Sequence, residues 1–201
     1  MPKPEPGEGL GIVLLAAGGS ARLGQPKQLV PIGGETLVLR TARRLLCLEP
    51  ASMIVVTGSA SAAVAEELTG LPLQIVHNPD WHQGMGTSIA LGVKNLPNTV
   101  SGVLIMLCDQ WCVDQEDLNR LFEVWISDIS AIVAASWVSN NASVFGPPVI
   151  FPGILIHELM CLTGDHGAKH LIEENRSNST FILMENASLD LDEPSDLRNF
   201  D

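Results

Sequence analysis

Positive charge is scarce in this chain. Eleven Lys and Arg stand against 23 Asp and Glu, a net charge of −12 over 201 residues. Such a surface repels nucleic acid and anionic lipid at long range, so neither is expected as a partner. A polyanionic small molecule would need a local gathering of cations. Long apolar runs are missing too. Apolar residues make up 46% of the chain, yet no stretch approaches the ~18 uninterrupted apolar residues of a membrane span. Cys47, Cys108, Cys112 and Cys161 are the only cysteines, scattered through apolar segments as reduced core cysteines are. The CxxxC spacing of Cys108 and Cys112 lacks the second pair that zinc requires, and "HELMC" (157–161) lacks the second histidine of a zincin helix. The opening "MPKPEPGEGLG" has no apolar signal core, which predicts a frayed tail over residues 1–10 and a cytoplasmic protein.

What the chain does have is alternation. "GIVLLAA" (11–17), "SMIVVTG" (52–58), "LQIVHN" (73–78), "GVLIMLCD" (102–109) and "AIVAASW" (131–137) are continuous apolar runs, suited to strands buried on both faces. Between them, 36–48 opens on a candidate Thr36 cap and sets Leu37, Thr41, Leu45 and Leu48 on one helical face. Residues 60–69 are Ala- and Glu-rich, and a further helix starts from Asp114 with acids in its first turn. The pattern predicts a parallel sheet covered by helices on both sides, in one domain over residues 11–201. After residue 138, "SNNASVFGPPVIFPG" turns polar and then Gly/Pro-rich, which predicts a substrate-loop elaboration around 138–170.

The stretch with chemistry in it is "LLAAGGSARLGQPKQL" (14–29). Gly19 and Gly24 satisfy the glycine spacing of a P-loop, but Gln25 and Pro26 intervene before Lys27, and Gln28 follows where Ser or Thr is required. The G-x-G-x-x-G of a dinucleotide fold is absent as well, which makes a dehydrogenase the weakest option. What remains is a strand ending in a glycine-rich turn whose amides converge on an anion, with Arg22 adding a forked charge and Lys27 a point charge. Ordinary solvated loop charges are the competing reading of those two cations.

Further on, Asp109 closes an apolar run where the carboxyl end of a parallel strand opens onto a ligand crevice. A carboxylate there suits Mg²⁺, which takes one or two protein carboxylates along with water and phosphate; a turn or capping aspartate is the alternative. Asp190 and Asp192 alternate in "SLDLDEP", so in a strand they share a face. Gly84, Gly86, Thr87 and Ser88 read as a turn entering a helix, with hydroxyls available to a base or phosphate. Asp80, Trp81 and His82 are candidate pocket walls beside it.

These stretches together carry a resemblance. "LAAGGSARLGQPKQL" is similar to the L-x-[AG]-G-x-S-x-R-[ML]-G-x-x-K signature of nucleotidyltransferases that build molybdopterin dinucleotides. Its Ala17 and its "PK" resemble the cytidylyl branch more than the guanylyl one. "GMGTSIALG" (84–92), "MLCDQ" (106–110), "GPPVIF" (146–151), "GDHGAK" (164–169) and "LDLDEPSDL" (189–197) resemble later motifs of the same family in the same order. The resemblance implies a three-layer α/β/α, Rossmann-like nucleotidyltransferase fold with a mainly parallel mixed sheet.

It also implies a reaction, the Mg²⁺-dependent transfer of CMP from CTP to molybdopterin with release of pyrophosphate. Arg22, Lys27 and Asp109 would be catalytic. Leu15, Ala16, Ala17, Gly18, Gly19, Ser20 and Gly24, with Gly84, Gly86, Thr87 and Ser88, would bind the nucleotide. Asp109 and Asp192 would hold the metal with Asp190 beside them, and Gly146, Pro148, Asp165 and Lys169 would face the acceptor. Three residues depart from the family on the expected acceptor side: Trp111 stands for Pro, Pro147 for a residue that is often Asn, and Lys169 for Arg. A single ammonium replaces a bidentate fork at the last of these. Guanylyl transfer, transfer to another phosphorylated small molecule, and a non-catalytic carrier of the finished cofactor to a molybdenum hydroxylase remain as alternatives.

Overall fold

A computed structural model describes residues 9–165, 167–193 and 195–196. β1 (Leu10–Ala16) is buried at every position, as a strand covered on both faces must be. A short hairpin of β2 (Pro31–Ile32) and β3 (Glu35–Thr36) leads into α1 (Leu37–Leu46). β4 (Ser52–Thr57), α2 (Ser61–Glu67) and β5 (Gln74–His77) follow, then α3 (Met85–Lys94) and β6 (Gly102–Leu107). α4 (Gln115–Ser127), β7 (Ile132–Ser139) and β8 (Ala142–Pro152) come next. α5 (Ile156–Met160), α6 (Lys169–Glu174) and β9 (Ser179–Leu183) complete the order.

Seven strands form one sheet in the order β5-β4-β1-β6-β8-β7-β9. All neighbours are parallel except β8, which runs against both β6 and β7. This is the mainly parallel mixed sheet expected. On one face α1 and α4 bury Leu37, Val38, Leu45, Leu118, Leu121 and Trp125; on the other α3, α5 and α6 bury Ile89, Val93, Leu159, Leu171 and Ile172. Alternate residues of β1 feed the two cores, Ile12 and Leu14 one and Val13 and Leu15 the other.

Several expectations need correction. Leu10, assigned to the tail, is fully buried and opens β1, while residues 1–8 lie outside the described residues. The passage after residue 138 supplies β8, because its apolar half, Val149–Phe151, sits against β6 in the core. Of the four cysteines only Cys108 is buried; Cys47 and Cys161 are exposed and Cys112 is intermediate. Residues 189–192 form no strand. Thr36 does stand at the N-cap of α1, but its hydroxyl bonds Glu67 Oε2 at 2.8 Å instead of capping.

At α4 the capping signal is realised in full. The Asp114 side chain accepts from the Asp117 amide at 2.9 Å, and the Asp117 side chain accepts in return from the Asp114 amide. Asp114→Ala is expected to lower the unfolding free energy by ~1 kcal/mol, read from the midpoint of urea denaturation at unchanged slope.

Candidate functional site

The strand order places a crevice beyond the carboxyl ends of β1 and β6. The chain leaves β1 through α1 on one face, and it enters β6 from α3 on the other. Crossovers that diverge in this way leave a gap at the strand tips between them. Leu15, Ala17 and Gly18 from the β1 side and Leu107, Cys108 and Asp109 from the β6 side line a hollow of about 210 Å³ there. Trp81, Met85 and Ser88 close it above.

The first loop is folded onto itself. Ser20 Oγ accepts from the Lys27 amide at 2.9 Å, and the Ser20 carbonyl accepts from the Gly24 amide at 3.2 Å. No α-helix starts after the loop; a single 3-10 turn, Lys27–Leu29, does. Gly19 has a steric reason to be glycine, since a methyl there would stand 2.9 Å from the Trp81 ring. Gly18, Gly19, Ser20, Arg22 and Lys27 line a second, more open hollow of about 260 Å³ together with Leu191 and Asp192. Gly18 and Lys27 are common to both hollows.

Lys27 is the hub. Its ammonium donates to Asp109 Oδ2 and to Asp192 Oδ1, the latter at 3.1 Å. Burial pulls its pKa down, but the Asp109 carboxylate and then Asp192 outweigh burial, and the group is held above the ordinary lysine value. Exposed Arg22 reaches Asp192 Oδ2 at 3.5 Å. The backbone repeats the connection, with the Leu191 amide donating to the Asp109 carbonyl at 3.0 Å. Protein crowding, then the charges of Asp109 and Asp192, push the Asp190 carboxyl up to about 6, with Lys27 offsetting part of this. Burial and the Asp109 charge raise the Cys108 thiol so far that it is no nucleophile.

Asp109 Oδ1 is buried and has no hydrogen-bond partner. Among the described residues no three His, Cys, Asp or Glu side chains converge as a complete metal cage. Two carboxylates with an orphaned oxygen fit a divalent ion whose remaining ligands are water and phosphate.

The second motif is used differently from the sequence expectation. Gly84 adopts φ +118°, and the 164–165 turn packs against it so closely that a side chain has no room. The Gly86 amide donates to the Gly164 carbonyl at 2.9 Å, and Thr87 Oγ1 is engaged by Gly84 O and by Asn78 Nδ2. Of the four residues only Ser88 lines the hollow. Asp165 sits at Gly84. Gly146 and Lys169 line a separate apolar recess of about 120 Å³ along β8, with Pro147 there in place of Pro148. Met85 walls both this recess and the first hollow. Trp111, expected on the acceptor side, packs against the core of the α1 and α4 face.

Three buried amides escaped the sequence reading. Gln28, Asn78 and Gln110 are 1%, 3% and 2% exposed. Asn78 Nδ2 holds both hydroxyls of Thr87 and Ser88 at 2.9 Å. Gln110 Nε2 joins the turn after β6 to the Pro147 and Ala187 carbonyls at 2.7 and 3.0 Å. No helix among the described residues is long and apolar enough to cross a membrane.

A family model described as the MobA-like NTP transferase domain matches residues 12–179. Nicotine blue oxidoreductase of Paenarthrobacter nicotinovorans is 33% identical over 165 residues, 81% of this chain and 80% of that one. Purine catabolism protein PucB of Bacillus subtilis strain 168 is 28% identical over 90% of this chain and 89% of its own. The crystal structure of Rv0371c from Mycobacterium tuberculosis H37Rv superposes with a TM-score of 0.77 at 26% identity, covering 94% of this chain and 96% of that one. Its manganese complex, at 24% identity and a TM-score of 0.76, has the same fold. A match that runs from the first strand to the last, repeated in relatives along most of their own length, means that this chain belongs to the MobA-like NTP transferase domain family.

Proposed function

We propose that this protein transfers CMP from CTP to the terminal phosphate of molybdopterin, releasing pyrophosphate and forming the cytosine dinucleotide. The observation that carries the reading is Lys27, bound to Asp109 and Asp192 where the two hollows meet. The nucleotide's base and sugar take the enclosed hollow, and its triphosphate takes the open one. Arg22, Lys27 and the loop amides hold the β- and γ-phosphates. An oxygen of the acceptor phosphate attacks the α-phosphorus, the bond from that phosphorus to the bridging oxygen breaks, and pyrophosphate leaves with the electron pair. The attacking oxygen is already anionic, so no side chain has to remove a proton. Holding two anions in line and offsetting the charge on the departing group is then the main task.

Asp109 and Asp192, with Asp190 beside them, would hold a magnesium ion, whose charge when bound offsets that of the phosphates. The orphaned Asp109 Oδ1 supports this, as does the manganese bound by Rv0371c. The acceptor follows from the motif resemblance, with Gly146 and Lys169 in the β8 recess and Asp165 at Gly84.

The name of the Paenarthrobacter relative raises a second reading, in which the same crevice serves a redox reaction. Against it stands the spacing of Gly18, Gly19 and Gly24, which is not that of a dinucleotide loop.

Incubation with molybdopterin, Mg²⁺ and each of the four ribonucleoside triphosphates is expected to release pyrophosphate with CTP. Release with GTP alone moves the protein to the guanylyl branch. Retention of cofactor without release makes it a carrier, and consumption of NADH or NADPH with nicotine blue supports the redox reading. Lys27→Ala and Asp109→Asn are each expected to cost ~3 kcal/mol of transition-state stabilisation, a hundredfold or more in rate, with the circular dichroism of the wild type. Chelation by EDTA is expected to stop turnover, and added Mg²⁺ or Mn²⁺ to restore it.

A further inference from the structure

Resting on the reading of the enclosed hollow as the base site, we propose that Gln28 selects cytosine over uracil by accepting a hydrogen bond from the exocyclic amine of the ring. Gln28 follows Lys27 directly, and the 3-10 turn Lys27–Leu29 folds its side chain beneath the first loop, where it is 1% exposed. Both of its amide hydrogens are engaged: Nε2 donates to the Ala16 carbonyl and to the Gly18 carbonyl, each at 2.9 Å. Two carbonyl oxygens can only accept, so the carboxamide cannot be turned over. Oε1 is thereby fixed as an acceptor, and it is buried with no partner while Gln28 lines the hollow. Buried acceptors in folded proteins nearly always have a donor, and a base seated in the hollow that Gln28 lines would supply it.

The neighbouring groups give this acceptor a direction of choice. Ser88, 4% exposed, lines the same hollow, and its Oγ accepts from Asn78 Nδ2 at 2.9 Å. Asn78 is itself oriented, its Oδ1 accepting from the Asp80 amide at 3.0 Å. The Ser88 proton is left to donate. The hollow therefore offers one fixed acceptor and one free donor. Cytosine presents an amine beside an unprotonated ring nitrogen, the complementary pair. Uracil presents an oxo group beside a ring N–H: the oxo group meets the fixed Gln28 acceptor like with like, whereas Ser88 Oγ keeps a lone pair and can serve either ring nitrogen, so the choice rests on Gln28. A site built around a specific hydrogen bond rejects a ligand that cannot make it far better than an apolar site rejects a change of size.

The test is calorimetric binding of CTP, UTP and the 2-pyrimidinone riboside triphosphate, in which hydrogen replaces the amine, to the full chain with Mg²⁺. In the wild type CTP is expected to bind roughly 10- to 100-fold more tightly than either of the others. In Gln28→Leu the CTP to UTP ratio is expected to fall to about one. A merely structural role for Gln28 weakens both nucleotides together and leaves that ratio alone, which overturns the proposal. Equal wild-type affinity for CTP and the amine-free analogue overturns it without any variant, so the result holds even where Gln28→Leu fails to fold. If no nucleoside triphosphate binds the wild type, the nucleotide reading of the hollow fails, and the base assignment fails with it.

Discussion

An ammonium shared by two carboxylates joins three distant parts of this chain. Lys27 comes from the first loop, Asp109 from the turn after β6 and Asp192 from the stretch beyond β9. Without Lys27 and Arg22 the acids at this point would repel one another, in a protein already twelve charges negative. Desolvation first, and then the Asp109 and Asp192 charges, still hold the Asp190 carboxyl above its ordinary range. Cations here therefore do two things at once: they close the C-terminal stretch over the strand tips, and they offset acids that would otherwise repel an arriving triphosphate.

The sheet explains why these residues meet. β1 lies between β4 and β6, and the helices leaving and entering that region lie on opposite faces, so the strand ends of β1 and β6 are uncovered. Any loop after β1 and any turn after β6 must then face a common gap. Gln110 ties that turn sideways, to the carbonyl of Pro147 at the end of β8's irregular half and to Ala187 beyond β9. Buried amides with every donor used give such a crevice rigid walls without adding charge.

Much of this was legible in the sequence because it rests on local rules. Continuous apolar runs marked five of the strands; four of them are buried along most of their length, as strands covered on both faces are, while β5 is an edge strand with Gln74 and His77 exposed. The Asp114 box marked its helix, and the glycines and cations of 18–27 marked the loop. What stayed hidden depends on partners far along the chain. Nothing local distinguishes Gln28, Asn78 or Gln110 from surface amides, because their burial depends on carbonyls and hydroxyls that only the tertiary fold brings near. β8 was obscured by Gly146, Pro147 and Pro148, which sit where its pairing with β7 shifts register between Ala134 and Ala135. The alternation of Asp190 and Asp192 suggested a strand; in fact the backbone there is irregular, with buried Leu191 anchoring it and Asp192 reaching Lys27.

The two ends of the crevice hold their cations by different physics. Lys27 is fixed by carboxylates at hydrogen-bond distance. Along β8, Lys169 stands 5.4 Å from the Phe145 ring centre, and Arg176 lies over Phe145 and Phe181 at 5.3 and 5.2 Å. An exposed cation over an aromatic face is bound by ~0.5–1 kcal/mol, too little to hold it against an incoming anion. The ring also leaves the charge uncancelled, where a carboxylate would neutralise it. The recess is otherwise apolar, so an anionic group entering there meets little competing charge, and Lys169 can swing to it at small cost. In the proposed reaction this asymmetry matches the two substrates: a lysine fixed in place by carboxylates on the triphosphate side, where a further cation must offset those acids, and a looser, uncancelled cation for the acceptor.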